Sequence, residues 1–142
     1  MKNVKYLIAF FAIISIFIVG CSKVNEEQYI KVQKRIGVEY KYEDFREITD
    51  SEQVQKVNDI IKDINWRNAD VDMERPADYR FIFQFKNPDI DAKAVTYELW
   101  ISPNKDKVEL VIDAEGKYTQ LDKRKSADLF EILTGEKLSD LK

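Results

Sequence analysis

Histidine is absent from the chain, and cysteine occurs once. The missing imidazole removes the side chain most often used for proton transfer near neutral pH and the commonest neutral metal ligand. A single thiol excludes an intrachain disulfide framework and any cysteine-based zinc cluster. Four glycines among 142 residues leave little material for a phosphate-cradling loop, and no nucleophile motif is present. These absences argue against an enzyme, and neither a cofactor nor a metal is expected. The length suits one domain, which leaves no room for a hinged two-lobed substrate receptor.

Met1–Gly20 differs from everything after it. Lys2 and Lys5 give a cationic start, and Leu7–Val19 follows as 13 residues of which only Ser15 is polar. A positive start and an apolar run of about 7–15 residues describe a secretory signal peptide; a spanning helix wants about 20. The junction Ile18-Val19-Gly20-Cys21 resembles the lipobox of bacterial lipoproteins. That resemblance implies that the Cys21 thiol receives a diacylglyceryl group and that cleavage makes Cys21 the new N-terminus. Two acyl chains, at about 0.8 kcal/mol per buried CH₂, make a stable anchor. The alternative is an uncleaved signal anchor with an ordinary thiol, for which the apolar run is short. The expected organisation is a signal peptide over 1–20, a lipidated Cys21 and polar tether over 21–28, and one domain over 29–142. The expected location is the outer face of the cell membrane.

Loss of residues 1–20 leaves 122 and takes Lys2 and Lys5, so 21 basic residues face 26 acidic ones, a net charge of −5. A domain this acidic gains nothing from phosphate backbones or an anionic bilayer, so nucleic acid is not an expected partner.

Periodicity sets the fold class. Tyr29–Arg35 is a strand candidate, and Val38–Ile48 a weaker one broken at Glu43-Asp44. Asp50 with Gln53 three residues on signals a helix start. Val54, Val57, Ile60, Ile61 and Ile64 then form one stripe of a helix ending near Asp63 or Ile64. Strict alternation in Tyr79–Phe85, Val95–Ile101 and Val108–Ile112 predicts an antiparallel meander with one buried face. Asn65–Val71 and Lys117–Leu121 are further short strands, and a last helix starts at Asp122 and stops at Gly135. The order β-β-α-β-β-β-β-β-α implies an α+β fold, a meander of about five strands plus N-terminal strands with two helices packed on one face.

The other sheet face offers a candidate site. If Phe83 lies opposite Tyr97, Arg80 lies opposite Trp100 and Glu109 beside it. The result is a row of Arg80, Trp100 and Glu109 flanked by Ile82, Glu98 and Val111. Exposed Trp and Arg are over-represented in interface hot spots, so Arg80, Ile82, Trp100, Glu109 and Val111 form a candidate interaction patch. The bland alternative is a solvated face partly covered by N-terminal strands. Arg75, Pro76 and Asp78 fit a turn better than a ligand site. The spaced carboxylates Asp70/Asp72 and Asp89/Asp91 lack the third acid and the glycine of a calcium loop. Lys123-Arg124-Lys125 would oppose the dipole of a helix capped by Asp122. Ser126 as the cap, or an Arg124–Asp128 pair, would ease that conflict.

Ile48-Thr49-Asp50, the helix ending before Trp66, Met73-x-Arg75-Pro76-x-Asp78-Tyr79-x-Phe81, Trp100-Ile101 and Leu133-Thr134-Gly135 together resemble the small YhfM-like lipoproteins of Gram-positive spore-formers. The resemblance spans most of Tyr29–Gly135 through structural residues and implies class and location only. The expected function is therefore a non-enzymatic binding module at the membrane's outer face, its partner an envelope protein or wall polymer. The alternative is a small wall-associated enzyme or enzyme inhibitor with a carboxylate-based site.

Overall fold

Alternating side chains and two amphipathic stripes build the fold that the pattern implies. The computed structural model describes residues 27–90 and 93–142. Its strands are β1 (Gln28–Arg35), β2 (Tyr42–Ile48), β3 (Arg67–Asn68), β4 (Tyr79–Phe85), β5 (Tyr97–Ile101), β6 (Val108–Ile112) and β7 (Lys117–Gln120). The helices are α1 (Ser51–Lys62) and α2 (Lys123–Thr134). One antiparallel sheet runs in the order β2-β1-β4-β5-β6-β7-β3. The expected α+β class, with both helices on one face, is what is found.

Each helix begins on an aspartate. The Asp50 carboxylate accepts the Glu52 and Gln53 N–H groups at 2.8 and 3.1 Å, and that of Asp122 accepts the Lys125 N–H at 2.8 Å. Such caps are worth about 1 kcal/mol each. α2 ends on Gly135 at φ 78°, the left-handed geometry that glycine adopts without strain. A Cβ there would also collide with the Arg46 guanidinium.

Val54 and Val57 of α1 and Leu129, Phe130 and Leu133 of α2 close over Ile30, Val32, Phe81, Leu99, Val108 and Leu110 of the sheet. Full burial of such a side chain stabilises by about 1.5–3 kcal/mol. Ser126 is fully buried among them. Its hydroxyl accepts the Val108 N–H at 2.9 Å and donates to the Leu121 carbonyl at 3.3 Å. It is therefore a rivet between α2 and β6, while Asp122 is the cap. The cationic first turn is relieved from outside the helix, by Lys123–Asp106 at 3.3 Å and Lys125–Asp63 at 2.6 Å.

Four expectations need correction. The β4–β5 register places Phe81, not Phe83, opposite Tyr97, so Arg80 faces Glu98 rather than Trp100. The cause lies in β5, which starts at Tyr97 and not at Val95, and in the face-on stack of Phe81 on Tyr97 at 5.0 Å. Second, β2 is not broken at Glu43-Asp44. It starts at Tyr42 and absorbs Phe45 as a bulge opposite Val32 and Gln33. Third, the strand expected over Asn65–Val71 shrinks to Arg67–Asn68 on the far edge beside β7. Fourth, the described residues lend no support to the membrane assignment. Among the described residues no helix is long and apolar enough to cross a membrane, and the sheet is open between β2 and β3. The expected leader, Cys21 and most of the tether lie outside the described residues.

Candidate interaction surface

The sheet face turned away from the helices divides into a covered half and an open half. Cover comes from the segment leading into β4. Pro76 cannot donate to a ladder, and the chain around it folds back across β5. Ala77, Trp100 and Val111 form a second small core there, with Tyr42, Met73 and Tyr118 packed against it. The indole N–H of Trp100 donates to the Arg75 carbonyl at 2.8 Å, and the Tyr42 hydroxyl to the Ala77 carbonyl at 2.9 Å.

Asp78 fastens this cover. One carboxylate oxygen accepts Arg75 at 2.6 Å and Arg35 at 3.4 Å; the other accepts the Ile101 N–H at 2.8 Å. Arg75 also donates to the Ile101 carbonyl at 2.9 Å. Arg75 and Asp78 thus hold the turn. Trp100 is only 5% exposed and Val111 7%, so neither is available as a surface anchor.

Of the expected row, the Trp100–Glu109 pairing is present. Arg80 instead binds Glu98 through two nitrogens, at 2.9 and 2.8 Å, and lies 3.8 Å from the centre of the Tyr42 ring. A cation over an aromatic face is favourable by about 0.5–2 kcal/mol, more as water is excluded. Glu109 accepts the Tyr118 hydroxyl at 2.5 Å. Burial first, then this bond to a carboxylate, pushes the Tyr118 phenol up to about 12.

The open half adjoins Arg80. Lys31 and Gln33 on β1, Ile82 and Gln84 on β4, and Thr96 before β5 surround it. A hollow of about 210 Å³ lies over these residues. A second, of about 370 Å³ and lined by Lys93, Val95, Glu98 and Asp113, shares Arg80 and Thr96 with it. Arg80 and Ile82 of the expected patch therefore border the opening, Glu109 is half-buried, and Trp100 and Val111 lie beneath the cover. Sequence reasoning missed Lys31, Gln33 and Gln84 as neighbours of Arg80. Alternation assigns their faces, but no local signal pairs β1 with β4 across three intervening elements.

A further cleft of about 540 Å³ runs between the helices, lined by Gln53, Lys56, Asp59, Ile60, Asp128 and Glu131, with Ile132 beside them. Among the described residues no three His, Cys, Asp or Glu side chains are placed to hold a metal ion. Asp70 and Asp72 are exposed, and Asp91 lies outside the described residues. Among the described residues the carboxylates with displaced titration (Asp44, Asp63 and Asp106) are all shifted down. The leading causes are the hydrogen bonds from Gln33, Lys125 and Lys123 respectively.

The family model described as YhfM protein matches residues 23–139. No curated protein and no solved structure matches the chain.

Proposed function

This chain belongs to the YhfM family, and from that premise we propose that it is a non-enzymatic binding module of the cell envelope that works through the open half of its sheet. The division of that face carries the reading. The chain spends a loop, a proline and a tryptophan on covering one half, and on the other leaves Arg80 bordering two adjacent hollows, one of them lined also by Ile82 and Gln84. A surface of this kind combines an aliphatic contact, amide donors and acceptors, and a guanidinium already oriented by Tyr42 and Glu98. It suits a protein or glycan partner better than a reaction. General acids need carboxyls shifted up towards neutrality, and the displaced carboxyls here are shifted down.

The partner is an envelope protein or a wall polymer, and the module is held on the outer side of the cell membrane through lipid on Cys21. That placement rests on Ile18-Val19-Gly20-Cys21 and is tested by the mass of the N-terminal peptide of the native product.

The binding reading is tested with full-length chain in detergent, immobilised and exposed separately to purified wall polymer and to solubilised envelope proteins. Ile82→Asp places a charge in the hollow and should reduce retention of the specific partner at least tenfold, with an unchanged circular dichroism spectrum. Equal retention by wild type and by both Ile82→Asp and Arg80→Gln would contradict the assignment.

A further inference from the structure

β2 ends the sheet with seven residues, whereas the opposite edge, β3, has two. In an outer antiparallel strand, alternate N–H and C=O groups point away from the single partner. Among the described residues no strand pairs with that edge. Natural sheets usually shorten or cover such edges.

The same edge carries exposed apolar surface. Val38 is 85% exposed, Tyr40 72%, Ile36 47% and Phe45 38%. All four lie within one stretch of ten residues, three at the β1–β2 tip and one at the bulge. β4 begins opposite Lys34, so the tip projects past the end of the sheet. The Phe45 ring rests on Tyr79 at 5.8 Å, with the Lys34 ammonium 5.4 Å from its centre. One side of that ring is therefore held in place while the residue remains exposed.

Charge selects the occupant. Tyr42–Ile48 holds Glu43, Asp44 and Glu47 against Arg46. Asp44 is already engaged by Lys31 at 3.2 Å and Gln33 at 3.0 Å. Glu43 and Glu47 take part in no ion pair among the described residues. Two copies joined edge to edge would bring these acidic strands together, which opposes self-pairing. We propose that the free edge of β2 accepts an extended basic and apolar segment of a partner protein as an added strand, its apolar side chains resting on Phe45 and Tyr40. This is strand addition, in which main-chain hydrogen bonds supply affinity and alternate side chains supply specificity. It uses a different surface from the Arg80 hollow.

The test uses full-length chain in detergent and three synthetic heptapeptides: alternating lysine and valine, alternating glutamate and valine, and the lysine peptide N-methylated at alternate residues. Amide hydrogen exchange reads β2, and calorimetry reads affinity. The lysine peptide should slow exchange within Tyr42–Ile48, and N-methylation should weaken it at least tenfold. Tyr40→Ser with Phe45→Ser should weaken binding about tenfold, and Glu43→Lys with Glu47→Lys should transfer preference to the glutamate peptide. Three results would each overturn the proposal: no slowing in β2, equal binding of the N-methylated peptide, or concentration-dependent protection of β2 without peptide, which would make a second copy the occupant. Because the readout is confined to β2, its failure leaves the Arg80 surface untouched.

Discussion

Trp100 gives the sharpest test of how the sheet's second face is divided. Its ring is 5% exposed, packed with Ala77 and Val111, and its N–H holds the Arg75 carbonyl at 2.8 Å. A buried tryptophan removes about 200 Å² from water, which at about 25 cal/mol per Å² is about 5 kcal/mol, an upper bound because unfolded chains retain some burial. The small core lies at the surface and can partly collapse, so Trp100→Ala should cost about 3–4 kcal/mol. Trp100→Phe keeps most of the contact and loses one hydrogen bond, for about 1–2 kcal/mol. Urea unfolding followed by circular dichroism separates the two. With a slope of about 1.5 kcal/mol per molar, the alanine variant's midpoint falls by about 2–2.7 M. Exchange of the Asp78 N–H, which donates to the Leu99 carbonyl at 2.9 Å, should quicken in Trp100→Ala and stay slow in Trp100→Phe. If both variants unfold within about 0.5 kcal/mol of wild type, a figure ordinary for surface changes, the ring is not the pin described.

Three further outcomes follow from named contacts. Tyr118 should ionise late in a 295 nm alkaline titration. Its folded value of about 12 lies above the ordinary 10.0, so its contribution is intact below 10 and is lost as pH rises towards 12; Tyr118→Phe should delete that step. Ser126→Ala leaves the buried Val108 N–H without its acceptor and should cost about 1–3 kcal/mol by thermal or urea unfolding. Asp63 is shifted down by Lys125, so its stabilising effect is present above the ordinary carboxylate range and is lost as pH falls through the lowered value. Asp63→Asn should therefore flatten the acid limb of a melting-temperature profile as pH falls below the ordinary carboxylate range.

Local chemistry carried much of the fold into view. Alternation assigns faces correctly within Tyr79–Phe85, Tyr97–Ile101 and Val108–Ile112 but not at Val95, and Asp50, Asp122 and Gly135 bound their helices as their chemistry requires. The misreadings arose where tertiary packing decides. Tyr97 reads as a strand residue in either register, and only the face-on stack with Phe81 selects the observed one. Trp100 alternates onto the second face as expected, yet its exposure depends on where the Met73–Asp78 segment lies, and no periodicity encodes that. Arg80 is read onto the correct face but with the wrong partner. A two-residue slip preserves the face and exchanges the neighbour, replacing an indole with Glu98 and leaving Tyr42, from a distant strand, as the ring beneath it.

Hydrogen exchange of the full-length chain, with and without its retained envelope fraction, examines the binding role most directly. The account predicts slowed exchange around Gln33, Ile82 and Gln84 on bound chain, absent in Ile82→Asp. Protection confined to the cleft between α1 and α2, with Ile82→Asp indistinguishable from wild type, would contradict it.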